Sequence, residues 1–207
     1  MSRAGDTFMN AIANSRLPAA PHLGSGWQGA RRLAIALVVV AAVTLAGCAS
    51  SGSDRPLATV ARVDLERFMG NWYVIASIPT FIEREAFNAV ESYRIDTDGS
   101  IATTFTFRAG GFDGPERRYE PRGFVRDRAS NAVWGMQFIW PIKADYRIAW
   151  LAEDYSITVI GREARDYAWI MARTPTLSDA AYASAVTFLE GQGYDVRQLR
   201  KVPQKWQ

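Results

Sequence analysis

Between Asn71 and Arg173 the sequence is cut at short intervals by turn formers, and the segments between the cuts are too short and too β-branched for helices. Asp98-Gly99, Gly110-Gly111, Asp113-Gly114-Pro115, Ser130-Asn131 and Asp154 are the cuts, built from residue types that tolerate or prefer turn geometry. The runs that they bound are 71–78, 89–96, 100–108, 118–127, 132–140, 144–152, 155–161 and 167–173, eight in all. Aromatic and β-branched residues dominate them, as they do in strands. Short strands joined by turns, without crossover helices, predict an antiparallel all-β sandwich or barrel.

Period-2 alternation divides these runs into faces. In "WGMQFIW", Trp134, Met136, Phe138 and Trp140 share one face, with Gly135, Gln137 and Ile139 on the other. Phe105 and Phe107 alternate with Thr104 and Thr106, and Tyr146, Ile148 and Trp150 with Arg147, Ala149 and Leu151. One face is therefore aromatic and contains Met. Such a face is either a packed interior or the wall of a ligand cavity, because an eight-stranded barrel just fills with side chains or holds one small ligand. The alternation leaves both open. A single helical turn, "VDLERFMG", leads into the first strand, and one longer helix is predicted over about 178–191. Ser178 is its N-cap, Asp179 lies in its first turn, and Gly191 or Gly193 stops it. Its apolar stripe, Tyr182, Ala185, Val186 and Leu189, should pack on the outside of the sheet.

The N-terminus carries a different signal. Arg31 and Arg32 precede "LAIALVVVAAVTLA", and "LAGC" closes the stretch at 45–48. A basic n-region, a short apolar core and a small-residue cleavage site are the parts of a secretory signal. The run is short of the ~20 residues that a free-standing transmembrane helix needs. "LAGC" resembles the bacterial lipobox, which implies a signal peptide over 1–47, cut before Cys48. Cys48 would then carry an S-diacylglycerol and an N-acyl chain such as palmitate, and several chains anchor firmly where one holds only marginally. The stretch before Arg31 is long for an n-region, and Met9 offers an internal start. Residues 48–62 are mostly small and polar and read as a flexible tether, leaving 63–207 as the domain proper.

Subtracting the leader narrows the chemistry. The formal net charge of +3 resides in the leader, in Arg3, Arg16, Arg31 and Arg32 against Asp6, beyond which acids and bases balance; net charge gives no reason to expect a nucleic-acid partner. The one His, His22, lies in the leader, and the one Cys is the anchor. Ser-His-Asp and Cys-His triads, His/Cys zinc sites and disulfides therefore cannot be built in the domain. No metal or cofactor is implied.

"FMGNWYVIAS" at 68–77 resembles the Gly-x-Trp motif that opens the first strand of lipocalins, with Gly70 and Trp72 in the motif positions. "ARDYAWIMARTPTLSD" at 164–179 resembles the rest of the lipocalin signature. Asp166-Tyr167 matches the turn between strands seven and eight, and Arg173 the Arg that ends the last strand. Arg165 departs from the usual Thr. The likeness is greatest to the Blc-type bacterial outer-membrane lipoproteins, and it covers about residues 63–203. It implies an eight-stranded antiparallel up-and-down barrel, with Trp72 plugging one end under Arg173 and the other end open. The first loop, "PTFIEREAFN" at 79–88, would then partly cover the mouth with Phe81, Ile82 and Phe87, as an apolar lid or as residues packed on the rim.

The resemblance implies a ligand-binding protein and not an enzyme. Its ligand would be a fatty acid or lysophospholipid held against Phe105, Phe107, Trp134, Met136, Phe138, Tyr146, Ile148 and Trp150, for lipid storage or transport in envelope maintenance under stress. Ala49 after the lipobox Cys favours a lipid-anchored place in the outer membrane, facing the periplasm, and Blc-type proteins can pair as homodimers. Two alternatives stand beside this reading. One is another hydrophobic cargo such as a pigment, or a role as a structural partner of the envelope. The other is a lipid-modifying enzyme or isomerase using Glu91, Tyr93 and Tyr146. The basic tail around Arg197, Arg200, Lys201 and Lys205 fits either a solvated face or a surface for anionic head groups.

Overall fold

The computed structural model describes residues 55–206; the leader and Cys48 lie outside them. After a short helix α1 (Leu65–Phe68) come β1 (Gly70–Ile78), β2 (Ala86–Ile95), β3 (Ile101–Ala109), β4 (Glu116–Tyr119) and β5 (Arg122–Val125). Then follow β6 (Val133–Ile139), β7 (Ile142–Leu151), β8 (Ile157–Gly161), β9 (Ala168–Ala172), helix α2 (Asp179–Gly191), a 3₁₀ turn (Val196–Gln198) and β10 (Arg200–Lys201). Neighbouring strands pair antiparallel in chain order, and β1 pairs again with β9, so the sheet closes on itself. β4 and β5 are one barrel position interrupted by Pro121, which has no N–H for the ladder, although its carbonyl accepts from Thr103 N at 3.2 Å. The barrel is eight-stranded, as the alternation and the signature motifs lead one to expect.

Each wall strand sends one set of side chains inward and one outward. The inner cluster contains Trp72, Val74, Tyr93, Phe105, Phe107, Trp134, Met136, Tyr146, Ile148, Ile160 and Met171. The outer one contains Ile75, Ala76, Ile78, Val159, Ala168 and Ile170, covered by Ala185 and Leu189 of α2. Ser178 caps that helix by accepting from Ala181 N, so its start, stripe and docking face follow the sequence pattern.

One end is a closed floor. Trp72 is fully buried, its indole Nε1 donates to Phe68 O at 2.9 Å, and its ring packs on Phe68 at 5.0 Å. Arg173 lies over that indole, 3.8 Å from the ring centroid. Its guanidinium donates to Asn71 O at 2.9 Å, Arg67 O at 2.7 Å and Phe68 O at 3.0 Å. These are the carbonyls left by α1 and by the turn into β1, so one side chain ties the end of β9 to the start of β1. Gly70 has φ +92°, a left-handed conformation that L side chains avoid, and a Cβ there would lie in contact with Arg173 Nη1 at 3.4 Å.

The C-terminal tail is part of the wall. Beyond Tyr73, β1 leaves β2 and pairs with β9, which opens a seam between β1 and β2. β10 lies on Ala76 and Ser77, Asn88 N donates to Pro203 O at 2.9 Å, and Gln204 Nε2 reaches Val74 O at 2.8 Å and Ala89 O at 3.2 Å. The segment read as a basic face thus fills the seam, while Lys201, Lys205 and the arginines keep their charges outside. Within the stretch read as a tether, residues from Arg55 on strap the barrel. Leu57 is buried and Val60 N donates to Ile148 O at 3.1 Å.

Replacing Arg173 with Ala removes a cation–π contact worth ~0.5–2 kcal/mol and charge-assisted bonds of about 1.5–3 kcal/mol in sum after solvent competition. Urea unfolding should show a loss of about 2–5 kcal/mol, only part of it regained by Arg173→Lys, which keeps the charge but not the planar fork.

Candidate functional site

The end opposite the floor is open, and its rim is made of the loops β1–β2, β3–β4, β6–β7 and β8–β9. A groove of about 310 Å³ opens there, lined by Phe81, Ile82, Arg84, Glu85, Phe107, Ala109, Arg117 and Tyr119. Register explains the lining. Tyr119 lies opposite Phe105, and Arg117 opposite Phe107, so both point to the inner side of the wall with the phenylalanines. Tyr119 stacks over Phe107 at 6.2 Å and 14°, and Phe105 packs on Phe107 at 5.3 Å. Arg84 and Arg117 are exposed, and neither makes an ion pair or side-chain hydrogen bond among the described residues. The groove therefore offers an apolar, partly aromatic floor beside two uncommitted guanidiniums and the single Glu85 carboxylate, a net positive rim. Gly114 lets the β3–β4 loop turn tightly enough to build that rim, since a Cβ there would meet Ala109 O at 2.0 Å.

Deeper in the barrel lies a chain of polar groups. Glu91 is opposite both Trp72 and Phe105, hence on the inner side. Its carboxyl accepts from the Tyr93 hydroxyl, which meets the Tyr146 hydroxyl at 2.6 Å. Removal from water pushes the Glu91 carboxyl up to about 7; the nearby Glu83 adds to the rise and the Tyr93 hydrogen bond opposes it. Burial likewise raises both tyrosines, and the Glu91 charge adds to it. Glu83, near the mouth, is also raised by burial, though Thr80 N at 3.2 Å and Trp169 Nε1 at 3.1 Å donate to it. Among the described residues no group of three His, Cys, Asp or Glu could hold a metal ion.

A family model described as a lipocalin-like domain matches residues 63–204. The chain belongs to the lipocalin family. Temperature-induced lipocalin-1 of Arabidopsis thaliana is 30% identical over 156 residues, 72% of this chain and 84% of that one. The outer membrane lipoprotein Blc of Citrobacter freundii is 27% identical over 178 residues, 84% of this chain and 98% of that one. Insecticyanin from the tobacco hornworm Manduca sexta shares the fold with a TM-score of 0.58 at 14% identity, covering 74% of this chain and 86% of that structure. Lipocalins are in general binding proteins for small hydrophobic ligands, and the barrel of this one is built for that role.

In this lipocalin the residues expected to line a ligand separate into three groups. Phe107 lines the groove and Phe105 supports it from below. Trp134, Tyr146 and Ile148, with Met136 beside them, are nearly inaccessible. Trp134 stacks on Tyr146 at 5.3 Å and meets Phe68 and Tyr93 edge-on, which makes them the packed floor. Phe138 and Trp150 do not face inward. An extra residue in β6 between Met136 and Ile139 turns Phe138 out to 52% exposure, and Trp140 beyond it lies on the surface. A bulge at Ala149 sends Trp150 to the outer cluster.

Of the lid residues, Phe81 and Ile82 sit on the groove. Phe87 does not, because β2 begins at Ala86. Paired with Arg108, Phe87 faces outward and packs edge-on against Phe112 at 5.1 Å. Asp166 pairs with Arg162 at 3.0 Å, and the Arg162 guanidinium lies 5.2 Å from the Tyr167 ring. Arg165, the departure from the family pattern, has φ +55° and donates to Gln192 O, Glu163 O and Arg55 O, so it stitches three segments together. Arg84, Arg117 and Tyr119 are functional candidates that the motif reading passed over. The alternation of Arg117 and Tyr119 in "ERRYEP" was the available signal.

An acid whose folded pKa is raised binds its proton more tightly folded than unfolded, so folding is penalised once the unfolded form ionises. For Glu91 the penalty begins above the ordinary carboxylate value of 4.5 and is complete above about 7. Urea titrations should find Glu91→Gln about as stable as the parent at pH ~4 and about 2–3 kcal/mol more stable at pH ~8. Equal stability at both pH values would mean that Glu91 is solvated like a surface carboxylate.

Proposed function

We propose that this lipocalin is a membrane-tethered binder of single-chain anionic lipids, fatty acids and lysophospholipids, serving lipid storage or transport in envelope maintenance under stress. The observation that carries the reading is the mouth groove, in which Phe81, Ile82, Phe107 and Tyr119 lie beside the unpaired Arg84 and Arg117. An acyl chain would lie on the aromatic floor, and a carboxylate or phosphate would meet the two guanidiniums. At about 310 Å³ the groove stands at the small end of the ~300–1,000 Å³ range of ligand sites, which suits one flexible chain better than a rigid pigment. The lipobox-like "LAGC" and Ala49 favour anchoring through Cys48 in the outer membrane, on its periplasmic face. Relatives named as outer membrane lipoproteins support that placement.

Titrating oleate and lysophosphatidylglycerol against the protein, followed by displacement of a fluorescent fatty acid, should give saturable binding in the micromolar range. The double change Arg84→Ser, Arg117→Ser should weaken both lipids by roughly tenfold, about 1.4 kcal/mol, and leave a neutral monoacylglycerol almost unaffected. Absence of saturation for either anionic lipid would reject the reading. Equal losses for charged and neutral lipids would reject the role of the two arginines.

A further inference from the structure

The hairpin between β6 and β7 ends in Phe138-Ile139-Trp140-Pro141-Ile142. Its Phe138, Ile139, Trp140 and Ile142 side chains are 52%, 72%, 83% and 70% exposed. Single exposed apolar residues are ordinary on proteins, whereas a contiguous run at one tip marks a surface that meets something apolar. Phe81, 79% exposed, stands on the β1–β2 loop at the same end of the barrel. The tip also projects. Asp145 of β7 is level with the β8–β9 turn, since its Oδ2 accepts from Glu163 N at 2.8 Å. The strand from Asp145 to Ile142 therefore carries the tip about 10 Å beyond that turn, at ~3.3 Å per residue.

What the tip meets follows from where the chain enters the barrel. Arg55 O accepts from Arg165 Nη2 at 2.6 Å, and Leu57 N donates to the Glu163 carboxylate at 3.3 Å. Both partners lie between β8 and β9, at the mouth. The stretch from Cys48 to Arg55 spans at most about 25 Å when fully extended. A lipid on Cys48 therefore holds the mouth, and not the floor, close to the bilayer. The chemistry of the tip suits that neighbour: it contains no acid, and it carries a Trp, a residue favoured at the headgroup level. Behind it the cations are held on the barrel wall, the Lys143 ammonium over the Phe124 ring at 3.5 Å and the Arg126 guanidinium on Lys143 O at 2.8 Å, so the tip itself presents only apolar side chains. A second copy is the poorer fit, because a stable pair buries more than about 1,000 Å² and one short hairpin offers far less.

We propose that the β6–β7 hairpin docks into the headgroup–acyl boundary of the bilayer that holds Cys48, so that the groove opens onto that membrane. This rests on the membrane-tethered reading above. A single-chain lipid would then pass between bilayer and groove without crossing bulk water.

The test uses the lipid-modified protein in phosphatidylethanolamine–phosphatidylglycerol vesicles whose acyl chains carry bromine, a contact quencher of Trp fluorescence. Flotation should recover the protein with the vesicles, and bromine should quench its emission. Trp140→Phe should float equally while losing most of the quenching, and its exposure means that the change leaves the fold intact. Flotation with emission indifferent to bromine, or quenching unchanged in Trp140→Phe, would overturn the docking proposal and leave the tether standing. Flotation abolished by Ile139→Ser, Ile142→Ser would show the hairpin as the principal hold, supporting docking while rejecting the Cys48 anchor. Failure of the parent to float would reject both. Self-association in lipid-free detergent that Trp140→Phe abolishes, without bromine quenching, would assign the tip to a second copy instead and overturn the proposal.

Discussion

The contact between Arg173 and the indole of Trp72 is the constraint from which the rest of the structure follows. A closed barrel needs its last strand locked to its first, and here that lock is made twice. The ladder between β1 and β9 supplies one part, and the Arg173 guanidinium, spread over the indole and bonded to the carbonyls of Arg67, Phe68 and Asn71, supplies the other. Because α1 delivers two of those carbonyls and the start of β1 the third, the helical turn, the Gly-x-Trp opening and the end of the last strand are one device. A planar cation with several donors is needed, since each carbonyl takes a separate N–H while the flat face stays on the ring.

Closing the floor this way uses up much of the aromatic face. Phe68, Trp72, Tyr93, Trp134 and Tyr146 pack on one another, so the lower half of the barrel is core and the accessible volume moves to the mouth. There the wall changes character, from tightly packed rings to Phe107, Tyr119, Arg117 and the loop residues Phe81, Ile82 and Arg84. Between the two zones sits Glu91, held by the Tyr93 hydroxyl, which in turn meets Tyr146, in a place where its charge is costly. Its hydroxyl partner satisfies a hydrogen bond but does not neutralise it, so it is a polar joint between core and groove that favours its proton.

The alternation in "WGMQFIW" placed Trp134 and Met136 inside, which holds, and it carried Phe138 and Trp140 along, which does not. A single extra residue in β6 reverses every side chain beyond it, because the strand period is two. The same device at Ala149 moved Trp150 out. Both bulges lie within apolar runs, where neither a Gly nor a charge advertises them. Phe87 failed for a related reason: β2 starts earlier than the turn residues suggested, so a lid residue became a wall residue. Arg117 and Tyr119 were legible as alternating residues, but their value depends on lying opposite Phe107 and Phe105, which is a statement about pairing.

Local information thus settled the parts that local chemistry controls. Turn formers set the strand count, Ser178 and the stripe of α2 set the helix, and Gly70, Trp72 and Arg173 named the family from their own residue types. The exclusion of His- and Cys-based chemistry from the domain needed only the inventory. Tertiary structure alone decided which aromatics are core and which meet the groove. It also turned the C-terminal tail into a seam-filling strand, and brought residue 55, the groove and the exposed hairpin to one end of the barrel. These depend on register and closure, which join residues a hundred positions apart and leave no trace in any short stretch of sequence.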